Sequence, residues 1–339
     1  MRGGFGLQWH LTDRCDQRCK HCYIWSAAQK NKHSEPTKTE VGRIINDFCG
    51  FCTQMDCQPI MTLTGGDPIL YSNFWFVLEE LHARAVPIII LGNPFHLNND
   101  NLARMKELGV QRYQVSLDGL QATHDQFRKT GSFETTVDAI RLINAAGITS
   151  SVMATVSRAN WLELPELAKL CASLEVGNFA FARYCSTRKG LDTDLTPQEY
   201  RNFLAKMWAV YSTNATSQTN FVLKDHLFTA FLFEEGLFKP DGESGIIYGG
   251  CNCGIRHMAL LPNGIVYACR RFISPIGNIH TSCFSDIFTS AAMEKYRCFS
   301  KFEQCARCEL LGYCRGCPAV SASTNNNFYG KDPQCWREI

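Results

Sequence analysis

The stretch Trp9-His10-Leu11-Thr12-Asp13-Arg14-Cys15-Asp16-Gln17-Arg18-Cys19-Lys20-His21-Cys22-Tyr23 decides the reading of this chain. It leaves the apolar run Phe5–Leu11, whose pattern predicts a first β-strand, and enters a loop with cysteines spaced C-x3-C-x2-C. One short loop can present three thiolates to three corners of an iron–sulfur cube, and thiolates are the usual ligands of such clusters. No fourth cysteine is local, so one iron stays open, which is the mark of a catalytic rather than a closed metal site. The competing reading is a zinc knuckle completed by His21 or His10.

Working outward, apolar β-type runs alternate with helix-type runs. Strands are expected at Phe5–Leu11, Ile60–Leu63, Val86–Leu91, Tyr113–Leu117, Ile148–Val156 and Asn178–Arg183. Helical spacing covers Thr39–Phe48, Phe74–Ala85, Asn98–Leu108, Phe133–Ala146, Trp161–Leu174 and Pro197–Tyr211. Ser132 is read as a helix start, Gly109 and Gly147 as helix stops, and Pro165 as a first-turn residue. Such alternation predicts an α/β fold with a parallel sheet or partial barrel. Residues 212–250 read as a bridge, with Phe221–Phe238 aromatic and helical. From Cys251 the texture changes to short strands and turns, and ten of the eighteen cysteines lie there. The expected organisation is therefore 1–211 as the core, 212–250 as the bridge and 251–339 as a small Cys-rich α+β domain.

The chain has 339 residues, 45% of them hydrophobic, which supports a full-sized core. Eighteen cysteines in a chain of that size, with no export signal, point to metal chemistry in a reducing cytoplasm rather than to a disulfide scaffold. A formal net charge of +2 without a basic block disfavours nucleic acid as a partner. The apolar run Val86–Leu91 is too short to span a bilayer, so no membrane association is expected.

The first cysteine loop resembles that of the radical S-adenosylmethionine (SAM) superfamily. Two more segments carry the resemblance. Thr64-Gly65-Gly66-Asp67-Pro68 follows the second strand and is similar to the family's Gly-Gly-Glu-Pro motif, with Asp in place of Glu. Val115-Ser116-Leu117-Asp118-Gly119, followed by His124-Asp125-Gln126-Phe127-Arg128, is similar to a segment of the peptide- and protein-modifying branch. The resemblance implies a partial (β/α)6 barrel of the TIM type. It also implies a [4Fe–4S] cluster on Cys15, Cys19 and Cys22, with SAM on its open iron. Tyr23, Gly65, Gly66, Asp67, Pro68, Ser116 and Asp118 are the cofactor-binding candidates. For Asp118 an ordinary turn aspartate before glycine is an equal reading. Asn93-Pro94 and Arg183-Tyr184 end strands on the same face and are candidate lining residues.

In the C-terminal region, Pro262-Asn263-Gly264 between Met258–Leu261 and Ile265–Ala268 signals a hairpin that draws Cys253 and Cys269 together. Further on stand Cys305-x2-Cys308-x5-Cys314-x2-Cys317 and Cys335. The arrangement resembles the SPASM extension, which binds two auxiliary [4Fe–4S] clusters. By that resemblance one cluster takes Cys253, Cys269 and Cys317, with Cys251 as candidate fourth ligand, and the other takes Cys305, Cys308, Cys314 and Cys335. The family pattern usually has three residues before its last clustered cysteine, and here there are two. Alone, Cys305, Cys308, Cys314 and Cys317 also suit a zinc ribbon. Cys49, Cys52, Cys57, Cys171, Cys185, Cys283 and Cys298 are left to a packing role.

The resemblance implies reductive cleavage of SAM to a 5′-deoxyadenosyl radical that abstracts hydrogen from carbon, supplied by a low-potential electron donor. The leading expectation is maturation of a ribosomally synthesised peptide or protein, with a thioether formed at a substrate cysteine. Other radical peptide modifications, namely carbon–carbon crosslinking and epimerisation, are alternatives. Formylglycine formation in sulfatases is another, although Arg270 stands where those relatives carry an aspartate base. A non-catalytic zinc-stapled binding protein is the reading from a different class. The chain starts almost at its first strand, so a leader peptide is expected to be read by a separate binding protein or by the catalytic domain.

Overall fold

A computed structural model of the chain describes residues 3–22, 24, 34–185, 194–243 and 245–339. They divide into two compact units, one of residues 1–115, 128–151 and 253–297, the other of 116–127, 152–252 and 298–339. The division falls inside the fifth strand, β5 (Thr149–Val156).

The first unit is built on β1 (Gly4–Thr12). Next come β2 (Gln58–Gly65), β3 (Ile88–Leu91) and β4 (Val110–Ser116), each parallel to the strand before it. Between them run α1 (Lys38–Gln54), α2 (Phe74–Ala83) and α3 (Asn99–Glu107). The start of α1 is set by a capping box, in which Thr37 and Glu40 satisfy each other's backbone amides. On the other side of β1 lies β8 (His257–Leu260), also parallel, with Gly6 opposite His257. The expected hairpin then joins β8 to β9 (Ile265–Tyr267), and β10 (Pro275–Asn278) follows antiparallel. Sequence alone assigns these three strands to a separate C-terminal region. In the structure they extend the sheet of β1, a pairing between segments some 250 residues apart that no local pattern carries.

This sheet has one sealed face and one open face. Phe5, Leu7, Trp9 and Leu11 of β1, Met61 and Leu63 of β2, Ile88 and Ile90 of β3, and Tyr113 and Val115 of β4 are buried. Their alternates Gln8, Ile60, Thr62, Ile89, Leu91, Arg112 and Gln114 are only half-buried, while His10 and Thr64, nearer the C-terminal ends, are buried. Period-two alternation puts the two sets on opposite faces. The sealed face is closed by aromatic packing: Phe5 sits edge-on to Phe51 of α1 at 4.9 Å and to Phe288 at 5.3 Å. Phe288 belongs to α9 (Phe284–Thr289), which the one-turn α10 (Ala291–Glu294) follows.

The second unit carries α4 (Gln121–Phe127), which the sequence pattern does not single out, and α6 (Leu164–Ser173), with Pro165 in its first turn as expected. β6 (Asn178–Arg183) is as expected and pairs parallel with β7 (Asn220–Phe221). α7 (Pro197–Thr213) and α8 (Leu227–Glu234) pack aromatics on β6, with Phe181 5.0 Å from Phe203 and 5.7 Å from Phe228. The run expected as one helix over Phe221–Phe238 is thus strand β7 followed by the shorter α8. The C-terminal cysteines lie in turns before α11 (Pro318–Asn325). No helix among the described residues is long and apolar enough to cross a membrane.

Candidate active site and cluster ligands

The C-terminal ends of β1, β2 and β3 converge on the cysteine loop, the end where parallel α/β sheets place their chemistry. Gly65 and Gly66 are required there, for a reason the motif does not state. A Cβ on Gly65 would lie 2.2 Å from the carbonyl oxygen of Thr12, and one on Gly66 2.2 Å from that of Arg14. The close approach made by the glycines is to the backbone of the cysteine loop. Gly66 N–H donates to Thr12 O and Asp67 N–H to Arg14 O, both at 2.8 Å. The loop is further strapped by Arg14, whose guanidinium meets both oxygens of Glu35 at 2.8 and 3.0 Å. Pro68 opens the short 3-10 turn Pro68–Leu70 behind Asp67.

Donors are aimed at the sulfurs. Cys15 Sγ accepts from Gln17 N–H at 3.4 Å and from Asn93 Nδ2 at 3.2 Å. Arg128 Nη1 lies 3.6 Å from Cys19 Sγ. The Gln17 side chain is held in turn by Ser132 Oγ at 3.0 Å. Ser132 is therefore not the cap of α5 (Ser132–Ala145), a place taken by Gly131; its buried hydroxyl serves the cysteine loop. Burial pushes the Cys15 thiol up, and the hydrogen bonds from Asn93 and Gln17 oppose it. Donors to a sulfur suit a thiolate, and a bound iron would supply the positive charge that this half-buried thiol lacks. Cys15 and Cys19 fit a thiolate-ligated cluster on that ground, and Cys22 closes the same loop, its N–H donating to Cys19 O at 3.1 Å.

Asp67 fits a cationic ligand. It is fully buried, and its Oδ2 has no hydrogen-bond partner among the described residues, while Oδ1 accepts from Asn93 N–H at 3.4 Å. Burial, with the Asp16 charge behind it, pushes the carboxyl up to about 7. Asp16, Asp67 and His96 each bring one ligand atom within 4.8 Å of the others. Such an acidic cradle suits the ammonium of SAM. Asp118 is buried as well, but its Oδ1 accepts from Thr155 N–H at 2.9 Å and its backbone N–H donates to His124 Nδ1 at 3.2 Å. Those bonds support the reading as a structural turn aspartate. Ser116 is half-buried at the end of β4. Tyr23 lies outside the described residues. Of the lining candidates, Asn93 joins the site through Cys15, and Arg183 is sealed in an ion network described below.

In the second unit, Cys305, Cys308, Cys314 and Cys335 are brought together. Burial pushes Cys305 up to about 12, with Cys335 and Cys308 adding to it; Cys314 is raised by burial and by the nearby Cys305 and Cys335. The amide two residues on donates to the sulfur at Cys308 (Leu310 N–H, 3.4 Å) and at Cys314 (Gly316 N–H, 3.5 Å), the same local geometry as at Cys15. Four converging thiols with donors to sulfur fit one four-cysteine cluster. Cys317 instead opens α11, its N–H donating to Asp332 Oδ2 at 2.7 Å. In the first unit, Cys253 bridges to His257, and continuing the β8–β9 register by two residues puts Cys269 opposite His257 too. Cys253 and Cys269 thus share one end of the hairpin, as expected. Cys251 and Cys317 belong to the other unit. Among the remaining cysteines, Cys52, Cys171 and Cys185 are buried as a packing role requires, whereas Cys283 is exposed.

Signals for Asn93, Gln17 and Ser132 were weak in the sequence, since each acts through a partner far away along the chain. Asn93 closing a strand was the one visible hint.

Comparison with known proteins agrees with this geometry. The radical SAM superfamily matches residues 9–171, and the SPASM iron–sulfur cluster-binding domain matches 251–318. The AdoMet-dependent heme synthase of Oleidesulfovibrio alaskensis is 24% identical over 97% of this chain and 86% of its own length. The mycofactocin maturase MftC of Mycobacterium tuberculosis is 27% identical over 97% of this chain and 82% of its own. Streptococcus suis SuiB, solved with S-adenosylmethionine bound, has the same fold, with a TM-score of 0.76 at 18% identity over 99% of this chain and 78% of that one. The chain belongs to the radical SAM superfamily, in the branch with a SPASM domain, and is an enzyme that uses [4Fe–4S] clusters and SAM.

Proposed function

We propose that this enzyme matures a ribosomally made peptide, removing hydrogen from a substrate carbon and joining that carbon to a substrate cysteine as a thioether. The observation that carries the reading is the open face of the first unit's sheet. The side chains of Gln8, Thr62 and Gln114 point from three different strands of that face and have no hydrogen-bond partner among the described residues. A peptide backbone offers donors and acceptors to each of them, which a compact apolar substrate does not. The strands bearing Gln8 and Thr62 lead at their C-terminal ends to Cys15 and Asp67.

When bound, the cluster and SAM supply a one-electron route to a carbon radical, and the C-terminal clusters a sink for the second electron. Cys15, Cys19 and Cys22 hold the first cluster, with Asn93, Gln17 and Arg128 biasing its sulfurs. Asp67 orients SAM through its ammonium. Cys305, Cys308, Cys314 and Cys335 hold one auxiliary cluster, and Cys253, Cys269 and Cys317, with Cys251, the other. A low-potential donor supplies electrons, and a separate protein reads the leader peptide. The test is mass spectrometry of Cys-containing candidate precursor peptides incubated anaerobically with enzyme, SAM and reductant. Each thioether removes two hydrogens from the peptide mass. Normal modification of a precursor with every cysteine replaced would remove the thioether from the proposal.

Similarity to heme synthases over nearly the full chain favours a second reading, a tetrapyrrole as substrate. Turnover of an iron porphyrin precursor, with no change in any peptide, would select it.

The role given to Asp67 has its own test. Asp67→Asn weakens SAM binding by about tenfold or more, the scale of a lost charge-assisted hydrogen bond. In the wild type, affinity rises with pH and levels off above about 7, as the buried carboxyl ionises. In Asp67→Asn the profile is flat over that range.

A further inference from the structure

Among the described residues, Arg112 is a cation without a counterion. It sits in the middle of β4, opposite Ile89 of β3, and the register carries that row on to Thr62 of β2 and Gln8 of β1. It therefore points to the open face. It is half-buried, and its guanidinium makes no hydrogen bond, ion pair or ring contact with any described residue. Burial holds its proton affinity below the usual arginine range, so the charge is partly stripped of water. Three other arginines at comparable or greater burial are paired. Arg158 meets Glu199 at 2.8 Å, and Arg201 meets Glu234 at 3.0 Å. Arg315 donates to the main-chain carbonyls of Leu311, Gly249 and Cys251 at 2.9 to 3.0 Å. A desolvated guanidinium left unpaired is costly, and it persists where something else completes it.

The same face carries a second uncompensated group. His10 of β1 is fully buried, and neither ring nitrogen has a hydrogen-bond partner among the described residues. Burial, then the nearby charges of Arg270 and His257, keep it neutral. Arg270 lies 5.7 Å from the ring centre of Tyr267, which pairs with Ala259 in the row of Gln8. Arginines thus border this face at both ends of the row, on β4 and just past β9, and no carboxylate side chain occurs at any open-face position of β1–β4, β8 or β9.

We infer that the open face holds a subsite for a substrate carboxylate, anchored by the guanidinium of Arg112. Gln114, two residues on along the same strand and face, is placed to hold the neighbouring polar group of the substrate. The inference rests on the open face being the substrate surface, and it narrows the substrate to an acid. The carboxylate belongs to an acidic residue of the peptide.

The test is anaerobic calorimetry of the reconstituted, SAM-loaded enzyme with the peptides Ala-Ala-Glu-Ala-Ala and Ala-Ala-Gln-Ala-Ala, each amidated at its C-terminus, and with free glutarate. The Glu peptide is expected to bind about tenfold or more tighter than the Gln peptide, with the preference lost in Arg112→Gln and partly kept in Arg112→Lys. Arg112→Leu is expected to melt at or above the wild-type temperature, because no protein partner is lost and a desolvated charge is removed. Binding of glutarate with refusal of both peptides would keep the subsite and sink the peptide reading. Equal binding of the Glu and Gln peptides with no binding of glutarate, an unchanged preference in Arg112→Gln, or a clear fall in melting temperature in Arg112→Leu would each overturn the inference.

Discussion

Arg183→Met is expected to destabilise the second unit by about 3–5 kcal/mol, the range seen when one partner of a buried ion network is removed. Arg183 closes β6 with its side chain only 1% exposed. Its guanidinium reaches Asp225 at 2.8 Å, both oxygens of Asp332 at 2.6 and 2.8 Å, and Gln334 at 2.9 Å. It also lies 5.1 Å from the ring centre of Tyr200. Methionine fills the volume but leaves two buried carboxylates facing each other. Asp332 is the joint between this network and the cysteines, since it accepts the Cys317 N–H and its carbonyl accepts the Cys335 N–H at 3.1 Å. Urea unfolding should therefore shift together with a loss of about four irons, while the cluster at Cys15, Cys19 and Cys22 stays.

The pH profile separates this account from a mere packing defect. For Asp225, burial works toward a higher pKa, but the Arg183 charge outweighs it and holds the carboxyl below its ordinary value. A depressed folded pKa contributes stability above the unfolded value and loses it as pH falls through the folded one. The wild type thus loses this contribution only below about pH 4. In Arg183→Met the sign reverses. Desolvation alone then raises the Asp225 carboxyl, so the variant gains stability as pH falls from 7 toward 5. Arg183→Met combined with Asp225→Asn and Asp332→Asn should recover much of the loss, because no unpaired charge is left. A pH-independent deficit in the single variant would show that charge is not the cause.

Elements were legible in the sequence wherever their cause is local. Asn178–Arg183 matches β6 because its apolar run is bounded cleanly on both sides. Asn263-Gly264 marks the β8–β9 hairpin because only a few residue types take that turn. The three cysteine spacings were legible for the same reason, since one loop presents them. What stayed hidden acts at a distance. Asn93 meets Cys15 across 78 residues and Gln17 meets Ser132 across 115. Arg183 reads as a polar strand end, and nothing near it in sequence announces Asp225 or Asp332. The glycines of Thr64-Gly65-Gly66-Asp67 were visible, but not the backbone they must avoid. Arg112 was hidden in another way: one charged residue in an alternating strand looks like an ordinary solvent-facing position until it is set beside Arg158, Arg201 and Arg315, which are paired.

Replacing Cys15, Cys19 and Cys22 together by alanine is the change with the largest expected effect on chemistry. 5′-Deoxyadenosine formation from SAM under reducing conditions should fall to the enzyme-free background. Iron in anaerobically reconstituted protein should fall from about twelve to about eight per chain, one cubane fewer of three. The fold should survive, because the three cysteines sit half-exposed in a loop rather than in the core. That loop is held independently by Gly66, Asp67 and Glu35. The auxiliary sets should keep their iron, since none of their cysteines lies in the loop. Replacing Cys305, Cys308, Cys314 and Cys335 should remove a similar amount of iron while leaving the first cluster able to cleave SAM without substrate. Those two results together would separate radical generation from the second electron's exit, as only the first set has an open iron. About four irons plus zinc in the wild type would assign the C-terminal cysteines to zinc. The radical site would stand, and the thioether scheme would lose its electron sink.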